Sequence, residues 1–185
     1  MGELVYSALQ SLDGYIADEQ GDFGWAAPDE QVHAFINELT RPVGTHLVGR
    51  RMYEVLEVWD RPEEFPDITP AMSDFAELWQ AADKVVYSRT LEPPAAARTR
   101  VEREFEPDAV PALKDGSDRM LSVGGPTLAA EAFRAGLVDE LQLFVAPAIV
   151  GGGTRSLPDG VRLDLELVEE RAFDGGMAYL RYRTR

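Results

Sequence analysis

Three short runs in this 185-residue chain combine residue types that bind phosphate. In Val48-Gly49-Arg50-Arg51-Met52-Tyr53 a glycine lets the backbone approach a ligand, and two guanidiniums beside a helix start match phosphate oxygens. Tyr87-Ser88-Arg89-Thr90 sets a hydroxyl and a guanidinium directly behind a short apolar strand, a grouping suited to a phosphate monoester. Val123-Gly124-Gly125-Pro126-Thr127 places a glycine pair between a strand and a helix whose first N–H groups lack intrahelical partners, which favours a pyrophosphate there. Each run also has a structural alternative: a solvated helix start, a capped strand end and a tight turn. The full G-x-G-x-x-G fingerprint is absent. Together the three argue for local positive pockets, and a nucleotide cofactor, in a chain of formal charge −15.

Acid–base candidates lie in the N-terminal half. Asp13, in Ser11-Leu12-Asp13-Gly14, follows the first strand, and Asp29 and Glu30 follow Trp25 at a helix start. A carboxylate in an apolar pocket has a raised pKa and binds or protonates a heterocycle. The alternatives are a turn pair for Asp13-Gly14 and a helix-dipole role for Asp29 and Glu30. His33 and His46 have no metal-ligand spacing, there is no cysteine, and no G-x-S-x-G elbow supports a serine hydrolase, so no metal is expected. Gly151-Gly152-Gly153 reads as a flexible loop beside a strand, with a ligand-wall role as its alternative.

Strands and helices must alternate to bring these loops to one edge. Strand signals occur at Glu3 to Leu9, Thr45 to Val48, Lys84 to Tyr87, Thr99 to Glu104, Met120 to Val123 and Leu141 to Val145. Val32, Phe35, Ile36 and Leu39 give Asp29 to Thr40 a helical face. Thr69 and Pro70 announce a second helix with the stripe Met72, Phe75, Leu78, Trp79 and Ala82. Pro126 opens a third, ending near Gly136, and Asp174-Gly175-Gly176 joins Leu163 to Phe173 with Met177 to Thr184 as a hairpin. The reading is an α/β fold with a mixed, mostly parallel sheet and a C-terminal antiparallel hairpin, one domain over residues 1–185.

The acidic balance disfavours nucleic acid and acidic membrane surfaces as partners. With neither a basic, apolar leader nor an 18-residue apolar run, the expectation is a cytoplasmic protein. The apolar run Leu141 to Val150, interrupted by Pro147, is expected to offer a strand edge or face to a second copy, giving a homodimer, with burial inside the monomer as its alternative.

The chain resembles the dihydrofolate reductase superfamily, in the branch similar to the reductase domain of the bifunctional riboflavin-biosynthesis deaminase/reductase. The likeness rests on Ser11 to Ala17, Gly49-Arg50-Arg51-Met52-Tyr53, Ser88-Arg89, Val123 to Leu128, Gly136 to Leu141 and Val145 to Gly153, in that order. It implies a three-layer fold with helices on both faces, binding NADPH across the strand ends and delivering hydride to a pyrimidine or pteridine ring. By that likeness Arg50 and Arg51 meet cofactor phosphates, Ser88 and Arg89 the ribose 2′-phosphate, and Gly49, Gly124, Gly125 and Thr127 line the cofactor. Asp13, Asp29 or Glu30 would serve the substrate, dihydrofolate or a ribosylaminopyrimidine. The chain lacks the family's zinc deaminase signature, and Met52 stands where the family commonly has a threonine. The competing reading is a nucleotide-binding or oligomerisation module that keeps the fold without the reaction.

Overall fold

A computed structural model describes residues 2–94 and 96–185. In chain order the elements are β1 (Leu4–Gln10), β2 (Tyr15–Ala17), α1 (Glu30–Thr40), β3 (Val43–Gly49), α2 (Arg50–Leu56), α3 (Pro70–Ala81), β4 (Asp83–Tyr87) and β5 (Thr99–Glu102). They continue with α4 (Val110–Asp115), β6 (Met120–Gly124), α5 (Pro126–Arg134), β7 (Glu140–Val145), β8 (Thr154–Arg155), β9 (Leu165–Ala172) and β10 (Ala178–Thr184). Eight strands form one sheet in the order β5-β4-β3-β6-β1-β7-β10-β9, and β2 pairs with β8 in a separate ribbon. From β5 to β7 every neighbouring pair is parallel. The antiparallel strand β10 then folds back on β7, and β9 on β10.

Alternation along the strands divides the core between two faces. Leu4 and Tyr6 of β1, Leu47 of β3, Val85 of β4, Val123 of β6 and Leu141 of β7 pack with Leu128, Ala132 and Phe133 of α5 and Val110 of α4. On the opposite face Val48 and Val86 meet Trp79 of α3, while Phe144 and Tyr179 meet Val32 and Phe35 of α1. Each fully buried large side chain of this kind contributes about 1.5–3 kcal/mol by leaving water. Helices therefore cover both faces, and the hairpin closes one edge.

Thr69 caps α3 as expected, and Asp29, expected inside the first helix, is instead its N-cap. The Asp29 carboxylate accepts the Val32 N–H at the start of α1, and the Thr69 hydroxyl accepts the Met72 N–H at the start of α3. Gly136, at φ 66°, follows the last turn of α5. In α3 the most buried residues are Ala71, Ala76 and Trp79, whereas Met72, Phe75 and Leu78 of the expected stripe are half-buried. This helix packs against α1 as well as the sheet, through Asn37 Nδ2 to the Ala71 carbonyl at 2.8 Å, and small side chains permit that approach.

One expectation is corrected. The first part of the run Leu141 to Val150 is β7, with β1 on one side and β10 on the other, so it has no free edge. The C-terminal hairpin occupies the edge that the isolated run would have offered. Ile149, beyond the strand, is 74% exposed. Periodicity also did not reveal β2, β8, α4 or the extent of α2, each too short to show a repeat.

Candidate functional site

Because β4, β3 and β6 are neighbours, the three phosphate-suited junctions stand side by side at the carboxyl edge. The chain leaves β3 towards β4 through α3 on one face and leaves β6 towards β7 through α5 on the other. Such a reversal opens a crevice outside the two strand ends, the usual ligand position in open α/β sheets. Val48 and Gly124 are register partners across it, as are Gly49 and Tyr87 on the other side of β3.

Glycine lets Met52 approach the backbone of this crevice closely. A Cβ on Gly124 would lie 3.2 Å from Val48 Cγ1 and 3.4 Å from Met52 Cγ. At Gly125 the backbone has φ 87°, which favours glycine, and a Cβ there would sit 3.4 Å from Met52 Cβ and 3.9 Å from the Gly49 nitrogen. Met52 thus roofs the glycine pair with thioether and methylene surface. The first bond of α5 runs from the Ala129 N–H to the Gly125 carbonyl at 3.0 Å, leaving the N–H groups of exposed Thr127 and of Leu128 ahead of it. The cradle suits a nucleotide pyrophosphate.

Guanidiniums collect on one side of the cradle. Arg50 donates to the Thr90 hydroxyl at 2.8 Å and to Glu54 at 2.6 Å. Arg51 is exposed and makes no ion pair among the described residues. The Ser88 hydroxyl accepts the N–H groups of Thr90 at 3.3 Å and Leu91 at 3.0 Å, so it shapes the turn, while its own proton remains available. Arg89 projects into solvent, its side chain 80% exposed, and pairs loosely with Glu104 at 3.2 Å. Arg103, expected within the strand Thr99 to Glu104 and found just beyond β5, donates to the carbonyls of Ser88 and Leu91 at 3.2 and 2.9 Å. Its signal lies in the sheet: Tyr87 pairs with Glu102, which brings the residue after β5 beside Ser88.

The floor continues onto β1. Ser7 is exposed although its strand lies between β6 and β7 in the sheet interior. It shares a face with Val5 and Leu9, the latter packed in the α1 cluster, so the α1 side of the sheet is uncovered at this point. Ser7, the polar residue between Leu4 and Leu9, is the one sequence signal for it.

The three candidate carboxylates have separate hydrogen-bond partners. Asp13 accepts the N–H groups of Val150 at 3.2 Å and Gly151 at 2.8 Å, tying the loop after β1 to the glycine-rich loop after β7. Its pKa is lowered, first by a hydrogen bond from Ser11 and then by those N–H groups. Asp29 caps α1 beside Gly175, where a Cβ would come within 2.6 Å of its Oδ2. Glu30 accepts the Ala71 N–H at 3.1 Å, and hydrogen bonds from Thr69 and Ala71 lower its pKa. Among the described residues no cluster of three His, Cys, Asp or Glu side chains could hold a metal ion.

Two histidines flank the cleft region differently. His33 of α1 is half-buried between Trp59, at 5.9 Å between ring centroids, and Phe75, at 5.7 Å, and burial lowers its pKa. His46 of β3 is buried, stacked on Trp79, with Nδ1 2.6 Å from the Ser122 hydroxyl of β6.

Residues 3–179 match the family model of the RibD C-terminal domain. The chain is 26% identical to the uncharacterized protein YyaP of Bacillus subtilis, over 97% of this chain and 93% of that protein. Its fold is similar to a crystal structure of a putative riboflavin biosynthesis protein from a Shewanella species, with TM-score 0.77, 18% identity and 99% of each chain covered. It is also similar to the diaminohydroxyphosphoribosylaminopyrimidine deaminase/5-amino-6-(5-phosphoribosylamino)uracil reductase of Thermotoga maritima, with TM-score 0.67 and 17% identity. That likeness covers all of this chain and 57% of the other.

Proposed function

The chain belongs to the RibD C-terminal domain family, and on that premise we propose that it is an NADPH-dependent reductase of a small heterocycle, of the aminopyrimidine or dihydropterin type. The observation that carries the reading is the crevice between β3 and β6, where Gly124 and Gly125 lie beneath Met52 and Gly49 faces Leu128. A nucleotide pyrophosphate would rest against those glycines and the first N–H groups of α5, with Arg50 and Arg51 neutralising its charge. Ser88, Arg89 and Thr127 would hold the remaining phosphate and ribose groups. When bound, NADPH supplies the hydride, and the protein's contribution is placement within a dry, shaped cleft.

The chain's own residues then orient the ring and handle the proton. With lowered pKa values, Asp13 and Glu30 are ionised at neutral pH and act as acceptors for ring or backbone N–H groups, not as proton donors. Asp29 would hold the wall of the same end of the sheet through its cap on α1. The proton that accompanies hydride would come from water entering over exposed Ser7. The reading includes a cytoplasmic homodimer. Leu165, Leu167 and Val168 on β9, the outer strand, are 38%, 48% and 44% exposed and offer the apolar edge for it. A monomer mass by light scattering at working concentration would count against the dimer.

The experiment that tests the cofactor is calorimetric titration of NADPH and NADH into wild type and Arg89→Ala. NADPH binding should weaken by ~1.5–3 kcal/mol in the variant, with NADH little changed, because a charge-assisted contact to the 2′-phosphate is lost. Failure of wild type to bind either nucleotide would sink the reductase reading.

A further inference from the structure

Deeper in the cleft, the uncovered part of the sheet carries a hydrogen-bonding group whose polarity is fixed. Ser7 of β1 and Gln142 of β7 are register partners and project from the same face. The face is set on both sides: Leu141 and Leu143 pack under α5, so Glu140, Gln142 and Phe144 point towards α1, as Ser7 does. Ser7 is exposed and its hydroxyl bonds to no described residue.

Gln142 is 5% exposed, and its carboxamide nitrogen donates to Glu140 Oε1 at 2.9 Å. Glu140 is 1% exposed and its other oxygen accepts from Arg181 at 2.8 Å. A carboxylate paired with arginine is an acceptor only, so it fixes which end of the neighbouring amide faces it. The flipped amide would set oxygen against oxygen in a buried site, which is costly. Gln142 Oε1 is therefore the free end. Among the described residues this oxygen has no donor, and it is open to solvent, not sealed in the core, so an incoming ligand can reach it.

We propose that Gln142, with Ser7 beside it, is a specificity-determining residue that accepts a hydrogen bond from an exocyclic amino group of the substrate ring. The inference rests on the reductase reading for the kind of ring and on the Arg181–Glu140–Gln142 chain for the choice among rings. An aminated pyrimidine or pterin satisfies both the free amide oxygen and the free hydroxyl. A ring with only carbonyl oxygens in that position leaves Oε1 buried against another acceptor and is rejected, since a site built for an N–H discriminates strongly against analogues lacking it.

The test is a ligand-observed NMR titration of 5,6-diaminouracil and of uracil, which lacks both amino groups, against wild type, Gln142→Leu and Ser7→Ala. NADPH is titrated on the same samples. Wild type should prefer 5,6-diaminouracil by about tenfold, and Gln142→Leu should reduce that preference to within about twofold while keeping Glu140 paired to Arg181. Ser7→Ala, which removes only an exposed hydroxyl, should lower diaminouracil affinity by about threefold. If the leucine variant does not fold, Gln142→Met, which matches glutamine in length, takes its place. Equal or absent binding of the two probes to wild type overturns the proposal, as does an undiminished preference in the Gln142 variant. Loss of NADPH binding by wild type instead overturns the reductase reading, and the amino-group preference is judged on its own ratio.

Discussion

Arg50 donates to the Thr90 hydroxyl at 2.8 Å, which ties the first residue of α2 to the turn that follows β4. Two of the three phosphate-suited junctions are thus fastened to each other before any ligand arrives. The same guanidinium is held by Glu54 at 2.6 Å, so its direction is set from both sides. Arg50→Ala should weaken NADPH and NADH alike, by about five- to tenfold, because the contact it offers is to phosphates the two share. That contrasts with Arg89→Ala, whose effect should fall on NADPH. Calorimetry on both variants separates the roles, and equal selectivity in the two would refute this division.

The glycine pair divides stability from binding. Gly125→Ala forces a side chain into φ 87° and should cost about 1–3 kcal/mol, visible as a thermal midpoint lowered by several degrees. Gly124 has φ in the ordinary range, and an added methyl meets Val48 Cγ1 at 3.2 Å, a contact that small side-chain shifts relieve. Gly124→Ala should keep a near-native melting temperature yet lose most NADPH affinity, since the methyl occupies the floor of the cradle. A Gly124→Ala protein that binds NADPH normally would remove the crevice from the cofactor site.

Local chemistry made the junctions legible, while their neighbourhood depended on strand order. Gly49-Arg50-Arg51, Ser88-Arg89 and Gly124-Gly125 each announce a strand-to-helix or strand-to-turn change, and the caps at Asp29 and Thr69 mark helix starts within a residue. That β3 lies between β4 and β6 is a matter of pairings between distant segments, which no window of sequence contains. Arg103 and Ser7 went unnoticed for the same reason, as one is placed by the β4–β5 register and the other by an uncovered patch of sheet. The misreading of Leu141 to Val150 as a strand edge has a related cause: apolar residues show that a strand is buried, not which strand buries it. Asp13 combines two roles, since the Asp-Gly turn seen in the sequence also delivers its carboxylate to Gly151, 138 positions away.

That Asp13 contact predicts a local effect. Asp13→Ala removes the acceptor for the Val150 and Gly151 N–H groups, while the Leu12 N–H to Ala148 carbonyl bond at 2.7 Å still joins the two loops. Hydrogen exchange at those two amides should accelerate by about tenfold or more while amides of β1 and β7 keep their protection. Asp13→Asn, which retains one carbonyl acceptor, should show an intermediate rate. Unchanged exchange in both variants would mean that the Leu12–Ala148 bond and the β2–β8 ribbon hold the loop without the carboxylate.

His46, together with His33, makes the fold lose stability as the pH falls below 6.5. Burial, followed by the nearby cations Lys84 and Arg119, lowers its pKa from the ordinary 6.5 to about 4. The unfolded chain takes up this proton near pH 6.5, whereas the folded protein resists it until about pH 4, so between those values the unfolded state binds more protons. Stability is then full above pH 6.5 and falls as the solution is acidified towards pH 4, by up to about 3 kcal/mol from this residue. Asp13 and Glu30, whose folded pKa values are also lowered, act in a separate window, below the ordinary carboxylate range. Urea midpoints measured from pH 7.5 to 4 should therefore decline for wild type. His46→Asn should start lower, having lost the Trp79 stack, but follow a flatter line over the same range. Parallel lines for the two proteins would show that the buried imidazole does not carry the pH dependence.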